Sequence, residues 1–246
     1  FEVIYGDTDS LFVKGQGATE KDYRDLAARV TEETHLQMGL DRHFRYLVLL
    51  TRTTDPRMVV VRRYYGKLTN GHLFYRGIEL RRHDTPSYIK DMQTRIIEAL
   101  FKTDDPENVI KEGVIQALEI ANCAMKDVQR GLVNPRELVI SKRLRKDLSQ
   151  YRTHQPHIVA AMLGAEEGGD SNYLLLNTKR KNPYLRVMPA SLLNGSHRRY
   201  DRKKYTEMTQ RAAWNLLRPF VPSEDYIGRS RYRRSNLKDY FKSSPI

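Results

Sequence analysis

Asp7 and Asp9 stand two residues apart in the segment Tyr5-Gly6-Asp7-Thr8-Asp9-Ser10, with apolar runs on both sides. In extended chain, residues two apart point to the same side, so the two carboxylates make a small, hard, oxygen-rich site while Thr8 faces away. Such a site suits Mg²⁺, which binds through one or two carboxylates plus substrate phosphates rather than through a full protein cage. Crowding two acids on a hairpin raises their repulsion, and a divalent cation relieves it. Metal-assisted phosphoryl transfer is the chemistry that such sites support. Asp-x-Asp also decorates solvated turns. A solvated turn, however, does not require apolar strands on both sides.

The elements that must position these acids are legible around them. Val3-Ile4-Tyr5 and Leu11-Phe12-Val13 read as two buried strands joined by a tight polar turn, a hairpin with acids at its tip. Thr19 with Asp22 three residues later is a helix N-cap pattern, and Tyr23, Leu26, Ala27 and Val30 recur at helical spacing toward an end near Gly39. Residues 44 to 50 and 58 to 65 are strand-like. The second run leads through Gly66 and Asn70-Gly71 into Leu73-Phe74-Tyr75, a hairpin signal that extends the sheet begun by the first hairpin. From Thr85-Pro86 the period becomes helical, and Asp105-Pro106 starts a second helix. Its buried stripe is Val109, Ile110, Val114, Ala117, Leu118, Ala121 and Val128, with Cys123 near that face. Strands first and helices afterwards predict an α+β layout, or a sheet domain followed by a helical one, with the boundary near residue 100. Residues 164 to 172 read as a surface loop, and the chain from Gly228 onward as a polar, basic tail.

The 246 residues carry 43 Lys+Arg against 30 Asp+Glu, a net charge of +13, and the imbalance is local. Residues 1 to 128 are net −1 and residues 129 to 246 net +14. A basic second half faces a polyanion, nucleic acid first among them, unless it is simply a solvated Arg-rich surface. No stretch approaches the roughly eighteen uncharged apolar residues of a membrane span. The lone Cys123 excludes an internal disulfide framework and a Cys-based zinc finger, which makes a cytosolic or nuclear protein the simple reading.

At these residues a resemblance emerges. Tyr5-Gly6-Asp7-Thr8-Asp9-Ser10 resembles the palm signature of the family B DNA polymerases. Val61-Arg62-Arg63-Tyr64-Tyr65-Gly66 is similar to that family's Lys-Lys-x-Tyr-Ala-Gly strand, with Val61 in place of the first Lys and Tyr65 in place of the small residue. Arg76-Gly77-Ile78-Glu79-Leu80-Arg81-Arg82-His83-Asp84 resembles the Arg-Gly-hydrophobic-Glu segment that leads to the first thumb-side helix, with Lys90 and Gln93 in step. Leu144 to Tyr151 followed by Pro156-His157 is similar to the thumb of archaeal members.

The resemblance implies an antiparallel palm sheet with flanking helices over residues 1–100, a mainly helical thumb over 101–227 and a basic tail over 228–246. It implies that Asp9 ligates both catalytic Mg²⁺ ions and that Asp7 shapes the site with less direct coordination. Arg62, Arg63 and Tyr64 would hold the primer–template junction, where a cation beside a phosphate positions the strand without reading sequence. An edge strand guarded by Arg is the alternative. Glu79 is either a further acid near the site or a strand acid paired with Arg76 or Arg81.

The family's second metal-binding Asp, its fingers helix and its exonuclease motifs do not occur in this sequence. The expectation is therefore a part of a DNA-directed DNA polymerase, working on primer–template DNA and dNTPs in the cytoplasm of an archaeal cell, associated with the nucleoid. It would be active only with a second chain that carries the rest of the palm, the fingers and the exonuclease, and that supplies the missing Asp of a two-metal Mg²⁺ site. Phe1 looks like a cut point, so a fragment and a natural small subunit both stand. A non-catalytic DNA-binding accessory subunit derived from a polymerase is the alternative; the intact Asp7 and Asp9 count against it.

Lys142, Arg143, Arg145 and Lys146, with Tyr151 and Arg152 following, crowd the thumb segment and predict sequence-independent, salt-sensitive duplex binding. Lys179 to Lys181 and Arg198 to Lys204 either track phosphates or form solvated faces. His154 and His157 read as fold or backbone-contact residues, because nothing completes a metal pattern around them. In the tail, Leu237 followed three residues later by Tyr240 and Phe241 is similar to a sliding-clamp-binding peptide, with Arg234 where a Gln is usual. Packing of that segment on its own thumb is the alternative.

Overall fold

The computed structural model describes residues 1–55, 58–165, 169–195 and 199–228. The chain divides into two compact units, Phe1–Gly77 and Ile78–Ile246.

In the first unit, β1 (Glu2–Asp7) and β2 (Ser10–Lys14) pair antiparallel, with Asp7 opposite Ser10 and Gly6 opposite Leu11. Thr8 and Asp9 are thus the two turn residues, and Thr8 takes the positive φ of 42° that so tight a reversal demands. Helix α1 (Glu20–Thr34) opens on a complete capping box between Thr19 and Asp22. It closes at Thr34, earlier than expected near Gly39, because His35 adopts the left-handed conformation that ends a helix. A second sheet has the order β3 (Phe44–Thr51), β4 (Val59–Leu68), β5 (Leu73–Arg76), all antiparallel.

Two expectations change here. The hairpin does not extend into the three-stranded sheet; the two are separate ladders. They are joined by aromatic packing: Phe12 of the hairpin meets Tyr64 edge-on at 5.2 Å, and Tyr64 in turn stacks on Phe74 of its own sheet at 5.9 Å. Nor are the hairpin strands buried: Val3 is 61% exposed and Leu11 55%. A two-stranded ribbon anchored through Tyr5, Phe12 and Val13 leaves its remaining apolar side chains uncovered within this unit.

The second unit is built on α2 (Ser87–Leu100), α4 (Val114–Arg130) and α6 (Arg202–Leu217), which pack on one another. Their apolar stripes supply the core: Ile89, Ile96, Leu100, Val114, Leu118, Ala213 and Leu217. The helix expected from Asp105-Pro106 does begin there, with Asp105 accepting from the Glu107 N–H. It runs through the short α3 (Pro106–Asn108) and a π-turn (Val109–Gly113) before α4. Cys123 lies on the exposed side of α4 rather than near the buried face. The packing border after Gly77 places α2 with α4 and α6, so it falls before the functional border expected near residue 100.

The second unit also holds a small antiparallel sheet, ordered β6 (Ile140–Arg143), β7 (Asp170–Leu175), β8 (Val187–Pro189). Helix α5 (Pro156–Gly164) packs on it. Residues 170 to 172, read from sequence as loop, belong to β7. The α+β class with antiparallel sheets holds throughout. The possible clamp-binding residues Leu237, Tyr240 and Phe241, like Arg198, lie outside the described residues.

Candidate functional site

The tip of the hairpin treats its two acids differently. Both Asp7 oxygens are engaged: the Thr8 hydroxyl donates to Oδ1 at 3.0 Å and the Arg62 Nε donates to Oδ2 at 2.8 Å. The Arg62 guanidinium, and next the Thr8 hydroxyl, hold the Asp7 carboxyl below the usual carboxylate range. Asp9, one residue past Thr8 in the turn, is exposed and has no hydrogen-bond or ion-pair partner among the described residues. Strand alternation, which would set both acids on one side, does not apply, since Asp9 is a turn residue. The hairpin therefore offers one occupied and one unengaged carboxylate.

Arg62 reaches Asp7 by an irregularity in β4. Leu49 pairs with Tyr64 and Thr51 with Val59, so β4 advances five residues while β3 advances two. The surplus residues bulge out of the ladder, and bulges of this kind re-aim side chains. Within the bulge Arg62 has φ 59°, a left-handed conformation that costs a non-glycine residue about 1–2 kcal/mol. Its backbone N–H donates to the Tyr5 hydroxyl at 3.3 Å. Gly77 closes the bulge from the other side. A Cβ there would sit 2.2 Å from the Arg62 carbonyl oxygen, and Gly77 itself has φ +68°, so only glycine fits. The Arg63 Nε donates to the Gly77 carbonyl at 3.0 Å. Tyr64, expected at DNA, is instead 5% exposed, its ring enclosed by Phe12, Phe44 and Phe74.

Five of the six residues of the second unit expected at duplex DNA gather in one place. Lys142, Arg143, Arg145, Lys146 and Tyr151 all line an open groove of about 640 Å³; Arg152 does not. The Tyr151 hydroxyl accepts from the backbone N–H groups of Arg145 and Lys146, at 2.9 and 3.2 Å, and so fixes the loop that carries them. None of the four cations has an ion-pair partner among the described residues. Arg82, His83 and Asp84, to which the sequence assigned no DNA-binding role, line the same groove from a distant stretch of chain. Arg82 is held bidentate by Asp84, at 3.0 and 2.9 Å, while His83 Nε2 lies 3.1 Å from Asp170. At the groove wall, burial and then the Lys142 charge push the His157 imidazole pKa below its usual value. His157 packs on Tyr151, and His154 on Tyr184.

Lys179, Arg202, Lys203 and Lys204 border a second hollow of about 340 Å³ at the start of α6, where Asp201 caps the helix through the Lys204 N–H. Glu79 lies in a 3₁₀ turn rather than a strand. It accepts from Gln93 Nε2 at 2.9 Å and Asn215 Nδ2 at 2.6 Å, and so ties α2 to α6.

Comparison with known proteins matches the chain to a family. The model of DNA polymerase family B matches residues 1–215, and the chain belongs to that family. It is 32% identical over 168 residues to a DNA polymerase of Archaeoglobus fulgidus, covering 68% of this chain and 19% of that protein. It is 30% identical over 249 residues to DNA polymerase 2 of Aeropyrum pernix, covering 98% of this chain and 28% of that one. The matched part of the chain thus spans 19% and 28% of these two relatives. The solved family B DNA polymerase of Pyrobaculum calidifontis superposes with a TM-score of 0.63 at 24% identity, over 90% of this chain and 27% of that one, a likeness of fold.

Proposed function

We propose that this chain is the palm-tip and thumb portion of a DNA-directed DNA polymerase, working in the cytoplasm of an archaeal cell and catalytic only together with the polypeptide that carries the rest of the palm, the fingers and the exonuclease. Residues 1–100 serve as palm, 101–227 as thumb and 228–246 as a tail with a clamp-binding peptide. The observation that carries this reading is the Tyr-Gly-Asp-Thr-Asp-Ser hairpin, with an unengaged Asp9 at its tip, in a chain matched to the family over residues 1–215.

The donor set fits Mg²⁺ in part. Two hard carboxylate oxygen donors are present, and no group of three or more metal-binding side chains occurs among the described residues; one or two carboxylates suffice for Mg²⁺ beside substrate phosphates, and the family resemblance implies a further Asp from outside this chain. Asp9 is the direct ligand, and Asp7 holds the turn in shape. When bound, the metal pair supplies charge stabilisation to the phosphoryl group in transfer. The rest falls to this chain's own side chains. Arg62 presents a cation at the hairpin tip, where a primer phosphate docks, Arg63 offers a second from the same bulge, and Tyr64 anchors their strand in the aromatic core. The unpaired cations of the groove grip the duplex backbone.

Primer extension with Mg²⁺ and dNTPs tests the reading. Synthesis is expected when the complementary polypeptide is added, none from this chain alone, and none from the Asp9→Ala mixture. Synthesis that survives Asp9→Ala would refute it, and salt-sensitive duplex binding with no synthesis in any mixture would favour the accessory-subunit reading.

A further inference from the structure

We propose that Arg62 is a resident cation of the hairpin tip: it occupies Asp7 while no divalent metal is bound, so the incoming metal meets a competing positive charge and takes Asp9 as its sole unopposed ligand from this chain. The inference rests on the polymerase reading of Asp7 and Asp9 and assigns their neighbour a positioning role toward the metal.

Four separate features converge on this one side chain. The surplus of β4 over β3 expels its residue from the ladder. The left-handed backbone at φ 59° aims it. Gly77, the one residue type that fits, lets the Arg62 carbonyl approach from behind. The Tyr5 hydroxyl, from the strand that carries Asp7, accepts the Arg62 N–H. A strained backbone persists only where its surroundings over-determine it, and every support here ends at the Arg62–Asp7 contact of 2.8 Å. The Arg62 side chain is 52% exposed against 11% for Asp7, so Arg62 has solvent to move into when displaced.

The test is a Mn²⁺ titration of the full chain without DNA, with free Mn²⁺ read by its paramagnetic resonance signal. Wild type is compared with Arg62→Gln, Arg62→Lys, Asp7→Asn and Arg62→Gln/Asp7→Asn, and circular dichroism verifies that each folds. Arg62→Gln is expected to tighten Mn²⁺ binding roughly two- to fivefold, the scale of a partly exposed ion pair that no longer has to be broken. Arg62→Lys keeps the charge and stays near wild type. The gain disappears in the Asp7→Asn background, as a double-mutant cycle requires. Unchanged or weaker Mn²⁺ binding in Arg62→Gln overturns the proposal, and so does a gain that survives Asp7→Asn or an absence of Mn²⁺ binding in every variant. Because no nucleotide incorporation is read, failure here is distinct from failure of the polymerase reading, which primer extension decides on its own.

Discussion

Asp7 and Asp9 show how little a two-residue spacing says about two side chains. Their identities and the hairpin beneath them are legible in the sequence, because Gly-Asp-Thr-Asp-Ser between two apolar runs leaves few alternatives. Their unequal states are not, since Asp7 is decided by Arg62, fifty-five residues away, and Arg62 by a register mismatch that no local pattern announces. His157 carries a prediction at the same scale. Burial lowers its folded pKa, so the unfolded chain binds the proton more readily. Its stabilising contribution is therefore complete above the ordinary value of about 6.5 and is lost as pH falls toward the lower folded value. Urea midpoints between pH 7.5 and 5 should decline in wild type more than in His157→Leu; parallel declines would exclude His157 as the source.

At the scale of elements, the β4 bulge depends on Gly77, which the sequence displays inside Arg76-Gly77-Ile78-Glu79 without displaying the reason for it. Gly77→Ala should destabilise the chain by about 2–3 kcal/mol in urea unfolding, because it strains φ and drives a methyl into the Arg62 carbonyl. A change under about half a kcal/mol, the range of ordinary surface substitutions, would show that the close approach relaxes freely. Long periodic helices were easy to foresee: α2 and α4 show their buried stripes plainly. The sheet β6–β7–β8 was not, since its strands of four, six and three residues are too short to show alternation. Missing it also concealed how β6 brings Lys142 and Arg143 beside Arg82, His83 and Asp84. The burial of Tyr64 is illegible in sequence for a related reason. A motif position names a residue type, whereas its burial depends on Phe12, Phe44 and Phe74 arriving from three other strands.

For the whole molecule, the charge division between the two halves anticipated the basic groove, because net charge needs no fold to be counted. Duplex binding should fall steeply with salt. Lys142→Ala should weaken it alike for unrelated sequences and reduce the slope of log K against log salt by about one. A slope unchanged within error would remove Lys142 from the phosphate contacts. The tail adds a separate expectation, that Leu237→Ala and Phe241→Ala abolish recovery on an immobilised sliding clamp; equal recovery would leave the tail without that partner. The central claim, that Asp9 is the metal-bearing acid of a polymerase site finished by another polypeptide, is tested most directly by single-turnover nucleotide incorporation in the complemented assembly. Asp9→Asn should slow incorporation on the order of a thousandfold or more, a loss of several kcal/mol of charge stabilisation, and Asp7→Asn far less. Equal losses in the two variants, or full activity in Asp9→Asn, would contradict it.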